Sequence, residues 1–124
     1  MKYLILIHLD QDELYALPEA EMSALNARHL EFNNRLRESG HWIEAEALEP
    51  ANTSRKIRVR RGKPAVTDGP FAESKELVAG FYLIEARDIN EATRIASEIP
   101  SASIGTIEVW PTRKLIVDGV AWDA

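Results

Sequence analysis

VTDGPFAESKELVAGFYLIEA, residues Val66 to Ala86, joins an exposed polar loop directly to one of the most apolar strands in the chain. Asp68-Gly69-Pro70 has turn chemistry: Gly69 tolerates a positive φ, while Pro70 fixes its own φ and pushes Gly69 out of the helical region. Phe71 then stands on the turn as an aromatic, and the charged run Glu73, Lys75 and Glu76 follows it. The pattern predicts that Gly80 opens a strand, Phe81 to Glu85, with apolar residues on both faces. The loop is expected to hold a site and the strand to hold the core.

Working outward, residues 2 to 9 alternate only weakly. Leu4 and Leu6 point one way and Tyr3, Ile5 and Ile7 the other, so this strand too is covered on both sides. Asp10 to Leu17 reads as a polar connection. A helix starts at Pro18, with Glu19 and Glu21 near the positive end of its dipole, and stops at Gly40. Met22, Leu25, His29, Phe32 and Leu36 make one apolar stripe along it, with His29 set inside. A histidine in such a stripe is more often a neutral, hydrogen-bonded, half-buried residue than a catalyst.

Trp42 to Leu48 reads as the second core strand, Pro50 to Ser54 as a loop, and Arg55 to Arg60 with Pro64 to Thr67 as a hairpin about Arg61-Gly62. Asp88 to Glu91 has the spacing of a capping box, opening a helix with Ala92, Ile95, Ala96 and Ile99 inward and Pro100 at its end. Ile104 to Trp110 closes the core. Residues 113–124 form a C-terminal extension in which Lys114 to Val117 could add a strand or a dimer contact, with Gly119 as a turn.

Strand, helix, strand, strand, helix, strand is the order of an α+β, ferredoxin-like βαββαβ fold, here with a β-hairpin inserted between the second and third core strands. Two helices cover one sheet face. The other would be bare although its residues are apolar, and a second copy of the chain is the economical cover, giving a homodimer. Strand rise places His8 about 20 Å up its strand, and helix rise places His29 about 16 Å above Gly40. The two imidazoles thus reach similar heights at the end where the DGPF loop lies. His8, Asp10, His29 and Asp68 could share one pocket there, with Pro70 and Phe71 as further ligand contacts; parity leaves open which face His8 takes. A histidine beside a carboxylate makes a general acid or base, and His29 with Asp68 or Asp10 is the pair expected, His29–Asp68 being preferred as catalytic.

Composition sets the outer limits. The 124 residues suffice for one domain with its own core, and no apolar run nears the length of a membrane helix. Leu4 to Leu9 reads as a strand rather than a signal peptide, so a cytoplasmic location is expected. Zero cysteines remove disulfides, Cys-ligated zinc and thiol nucleophiles. A net charge of −5 argues against nucleic acid, and the cations between Arg55 and Lys63 alternate with Ile57 and Val59 as the wet face of a strand would. No HxH or HExxH spacing, glycine-rich phosphate loop or serine elbow occurs, so no metal or other cofactor is expected.

DGPFAESKE running into GFYLIEA, with MKYLILI at the start and Glu108-Val109-Trp110-Pro111 near the end, resembles the YCII-related family, in particular its DGPF-motif branch, over residues 1–112. The resemblance implies a dimeric α/β barrel. It also implies two functions of different kinds. A His-Asp dyad in the wider group is associated with cofactor-independent elimination on small aromatic substrates, and His29 matches the helical histidine, while no aspartate carries over with it; this points to a lyase- or isomerase-like enzyme acting on a small organic molecule. Alternatively, DGPF-motif proteins are often encoded beside extracytoplasmic-function sigma factors, which implies a non-catalytic ligand sensor or regulatory partner, with Glu73, Lys75 and Glu76 as a docking surface.

Overall fold

Along β1 (Lys2–Asp10), Tyr3, Ile5, Ile7 and Leu9 are buried while Leu4, Leu6, His8 and Asp10 are half-buried, so one face carries the helices and the other does not. The computed structural model describes residues 1–69 and 75–124. Asp10 ends the strand and its carboxylate accepts from the Glu13 N–H, opening a one-turn helix, α1 (Gln11–Tyr15), where the sequence suggested only a polar connection. An aspartate with free N–H groups three residues on is a sufficient nucleus for a turn that packs back on the strand.

The long helix α2 (Glu19–Ser39) begins just after Pro18, which sits extended at the cap position, and ends at Gly40 in the left-handed conformation with φ 80°. Leu25, Phe32 and Leu36 of its stripe are buried. β2 (Trp42–Ala47) follows, then a single 3-10 turn at Ala51–Thr53, then the predicted hairpin, β3 (Arg55–Arg60) with β4 (Lys63–Asp68). Arg61 and Gly62 both have positive φ, 54° and 73°, as a primed two-residue turn requires, so Arg61 takes a conformation more usual for asparagine or glycine.

β5 (Glu76–Glu85) starts four residues before the opening expected at Gly80. Glu76, Leu77 and Val78 pair with Asp10, Leu9 and His8, and the register shifts between Ile7 and His8, so Gly80 lies inside a bulged strand. A Cβ there would lie 3.0 Å from the Glu46 carbonyl oxygen of the neighbouring strand; glycine permits the close approach. α3 (Ile89–Ser97) is capped by Asp88, whose carboxylate accepts from the Glu91 N–H, and buries Ala92, Ile95 and Ala96. A 3-10 turn, Pro100–Ser103, leads to β6 (Thr106–Pro111). The tail makes its own hairpin, β7 (Leu115–Val117) with β8 (Val120–Trp122), instead of adding a strand to the core sheet.

The sheet order β2-β5-β1-β6, antiparallel throughout, is the ferredoxin-like arrangement. α2 and α3 close one face over a core of Tyr3, Ile5, Phe32, Tyr82, Ile84, Ile95 and Ile99. The uncovered face carries Leu4, Leu6 and His8 on β1, Phe81 and Leu83 on β5, and Glu108 and Trp110 on β6. Trp110 is 53% exposed there. No helix of the described residues is long and apolar enough to cross a membrane.

Candidate functional site

Register decides which side chains meet. Tyr82 stands opposite Ile5 on one side and Ala45 on the other, both on the helix-covered face, so its ring runs under α2. Its edge meets Phe32 at a centroid distance of 5.6 Å and Trp42 at 6.4 Å, which fixes the ring and brings the hydroxyl to the middle of the helix. His29 and Asn33 lie one turn apart on α2 and present adjacent polar groups to that hydroxyl. Ser101 arrives from the turn before β6 and is 1% exposed.

These four side chains form one hydrogen-bonded line. The Tyr82 hydroxyl donates to Asn33 Oδ1 at 2.5 Å, so its oxygen has only lone pairs left for His29 Nδ1, 3.2 Å away. Nδ1 therefore carries the proton and donates to the tyrosine. Nε2 is then the unprotonated nitrogen, and it accepts the Ser101 hydroxyl at 2.5 Å. Every bond runs in one direction: Ser101 to His29, His29 to Tyr82, Tyr82 to Asn33. The proton-free end is the Ser101 oxygen.

The electrostatics agree with a neutral imidazole. Burial, and secondarily the Arg28 guanidinium on the same helix, lower the His29 pKa from its ordinary 6.5. Burial pushes the Tyr82 phenol up to about 12, so it stays protonated and keeps its donor role. His29 has a lower proton affinity folded than unfolded, so its contribution to stability is complete above about pH 6.5 and is lost as pH falls through the depressed folded value. Denaturant titrations from pH 8 to 5 should show stability declining below that point, with a shallower decline in His29→Gln; equal slopes in the two proteins would contradict the neutral-histidine reading.

The line forms part of the wall of a cavity of about 440 Å³. Ile7, Leu9, Leu14, Met22, Leu25 and Asn26 are among the other residues that line it. Among the described residues Glu46 is the one charged residue bordering it, and its register opposite Phe81 directs its side chain to the other face of the sheet. The size falls within the range of small-molecule sites, and the wall has their usual character of apolar surface with a few convergent polar groups.

His8, Asp10 and Asp68, also expected from the sequence, are placed elsewhere. His8 faces the uncovered side, where Nε2 contacts the Glu108 carboxylate, so the two histidines lie on opposite faces of the sheet and share no pocket. Asp10 is occupied in capping α1 and borders a separate polar cleft with Asp12, Tyr15, Asn52 and Lys75. Asp68 ends β4, is 88% exposed, and has Arg55 as its ionic neighbour at 3.9 Å. Both ring nitrogens of His29 are thus taken by hydroxyls, where the sequence led us to expect an aspartate. Pro70, Phe71 and Glu73 lie outside the described residues. Among the described residues no cluster of three or more His, Asp or Glu side chains is arranged to hold a metal ion.

Asn33, Tyr82 and Ser101 are the residues that sequence reasoning missed. The i, i+4 spacing of His29 and Asn33 was a usable signal for the first; Tyr82 was concealed by its apolar strand and Ser101 by its position in a turn.

With this geometry in place, the family model for the YCII-related domain matches residues 1–116. The chain belongs to the YCII-related family. An uncharacterised protein of Rhizobium meliloti (strain 1021) is 31% identical over 113 residues, covering 90% of this chain and 91% of that protein.

Proposed function

We propose that this YCII-related protein binds a small organic molecule in the cavity under α2 and uses His29 there as a cofactor-independent acid–base group, in chemistry of the lyase or isomerase kind. The observation that supports this reading is a histidine held neutral at the wall of an apolar cavity, with both ring nitrogens hydrogen-bonded in a defined sense. A neutral imidazole with an oriented lone pair is the form a general base needs before it takes a proton. A purely structural histidine would serve the core equally well, so the test must separate the two. In a screen of small organic compounds, His29→Gln should keep the fold and any binding while lowering turnover by about 100-fold or more. A variant that folds normally and turns over any substrate of the wild type at the wild-type rate would remove the acid–base role; wild-type protein that binds no compound would remove the site.

We also propose that a second copy covers the open face. Leu4, Leu6, Phe81 and Leu83 form a central apolar patch there, and Trp110 extends it along the edge strand. Such a surface on an antiparallel sheet is a typical association face. Sedimentation at micromolar concentration should give a dimer, and Leu6→Glu should give a folded monomer. A wild-type monomer under those conditions would be incompatible with this arrangement.

A further inference from the structure

The direction of the hydrogen bonds and the charge bordering the cavity, which among the described residues is Glu46 alone and is turned to the other face of the sheet, together restrict what the cavity can hold. Starting from Asn33, each proton is committed: Tyr82 gives its hydrogen to Asn33 Oδ1, His29 Nδ1–H gives to Tyr82, and Ser101 gives its hydrogen to Nε2. The Ser101 oxygen is left with lone pairs and no hydrogen to offer. A ligand group reaching that end of the line must therefore be a donor. Among the described residues no lysine or arginine borders the cavity, and His29 is held neutral, so a carboxylate or phosphate would enter without a counter-ion. Leu9, Leu14, Met22 and Leu25 favour a hydrocarbon body instead.

We infer that the ligand of this site is an uncharged, mainly hydrocarbon molecule carrying a hydroxyl that donates to the Ser101 oxygen, with Asn33 and Tyr82 as the positioning residues that set the direction of the line. This rests on the small-molecule reading proposed above and narrows it to one chemical class. It makes Ser101 a ligand-contacting residue whose hydroxyl links the ligand to His29.

Three compounds built on the p-menthane ring separate the alternatives: menthol offers a hydroxyl donor, menthone only a carbonyl acceptor, and p-menthane-3-carboxylate a charge. They would be titrated into the full-length protein at pH 7.5 while the methyl resonances of Leu9, Leu14 and Leu25 and the imidazole resonances of His29 are followed by NMR. Menthol should saturate these shifts, menthone should bind about tenfold more weakly for want of the donated hydrogen, and the carboxylate more weakly still. Ser101→Ala should bring menthol down to the affinity of menthone and leave menthone unchanged, a pattern that a merely structural serine would not produce. Should that variant fail to fold, the wild-type order of the three compounds decides alone. Menthone or the carboxylate binding as tightly as menthol would overturn the donor-alcohol class while leaving the cavity a small-molecule site. If none of the three perturbs the cavity but compounds without a hydroxyl do, the class is again wrong and the site stands. If no compound perturbs it, the site falls as well.

Discussion

Gly105→Ala should destabilise the protein by about 3 kcal/mol, at the upper end of what overpacking usually costs, and lower Tm by roughly 10 °C. A Cβ on residue 105 would lie 2.2 Å from the His8 carbonyl oxygen and 2.4 Å from Leu9 Cδ2. The leucine terminus could rotate aside. The carbonyl cannot, because His8 is a ladder residue of the central strand, paired with Val78 on one side and opposite Thr106 on the other. Relief therefore has to come from the segment between Ser101 and Thr106 moving off the sheet, which would also withdraw Ser101 from His29. Gly80→Ala is the internal comparison: its nearest clash, the Glu46 carbonyl oxygen at 3.0 Å, needs only a few tenths of an ångström of give, so its cost should be clearly smaller. Chemical denaturation of the two variants beside wild type measures the order. Gly105→Ala as stable as wild type would mean that β1 and the approach to β6 are not packed as described.

How far the chain could be read from its sequence depends on whether a feature is set locally. The stop of α2 at Gly40, the Asp88 cap and the turn at Arg61-Gly62 are decided by a few adjacent residues, and each was legible. The element order was legible for the same reason, since apolar periodicity is local and the βαββαβ succession has few compact solutions. The beginning of β5 was not, because Glu76 to Val78 are strand through their pairing, beyond a bulge at Ala79, with His8 to Asp10, which no local pattern encodes. The site divides along the same line. His29 was visible as a histidine in an apolar stripe. Its partners were not, since Tyr82 comes from a strand 53 residues away and Ser101 from a turn 72 residues away, and the choice of face for His8 needed the register that sets Ile5 against Tyr82. Favouring Asp10 and Asp68 rested on the chemical preference of histidine for carboxylates, whereas folding gave those aspartates other duties, capping α1 and facing Arg55.

Tyr82→Phe should cost about 2 kcal/mol and change the tautomer of His29. The substitution removes one oxygen and leaves the ring, so the edge contacts with Phe32 and Trp42 survive and the change reports on hydrogen bonding alone. Two groups lose their partner at once, the Asn33 Oδ1 acceptor and the His29 Nδ1–H donor. An unsatisfied buried group costs roughly 1–3 kcal/mol, but both residues are only half-buried and can recover some water, which places the combined loss near the middle of that range. The tautomer follows from the same bookkeeping. In wild type the Tyr82 hydrogen is committed to Asn33, so Nδ1 must be the protonated nitrogen; without the hydroxyl that constraint disappears, and the imidazole is free to revert toward the Nε2–H form, with Ser101 then accepting. Two-bond ¹H–¹⁵N spectra of the imidazole at pH 8 should therefore show Nδ1–H in wild type and a shift toward Nε2–H in Tyr82→Phe. Asn33→Leu should move the tautomer in the same direction, because a tyrosine hydroxyl freed from Asn33 can turn its hydrogen onto Nδ1. Nε2–H already dominant in wild type would show that the line runs the opposite way, and the Ser101 oxygen would then no longer be its proton-free end.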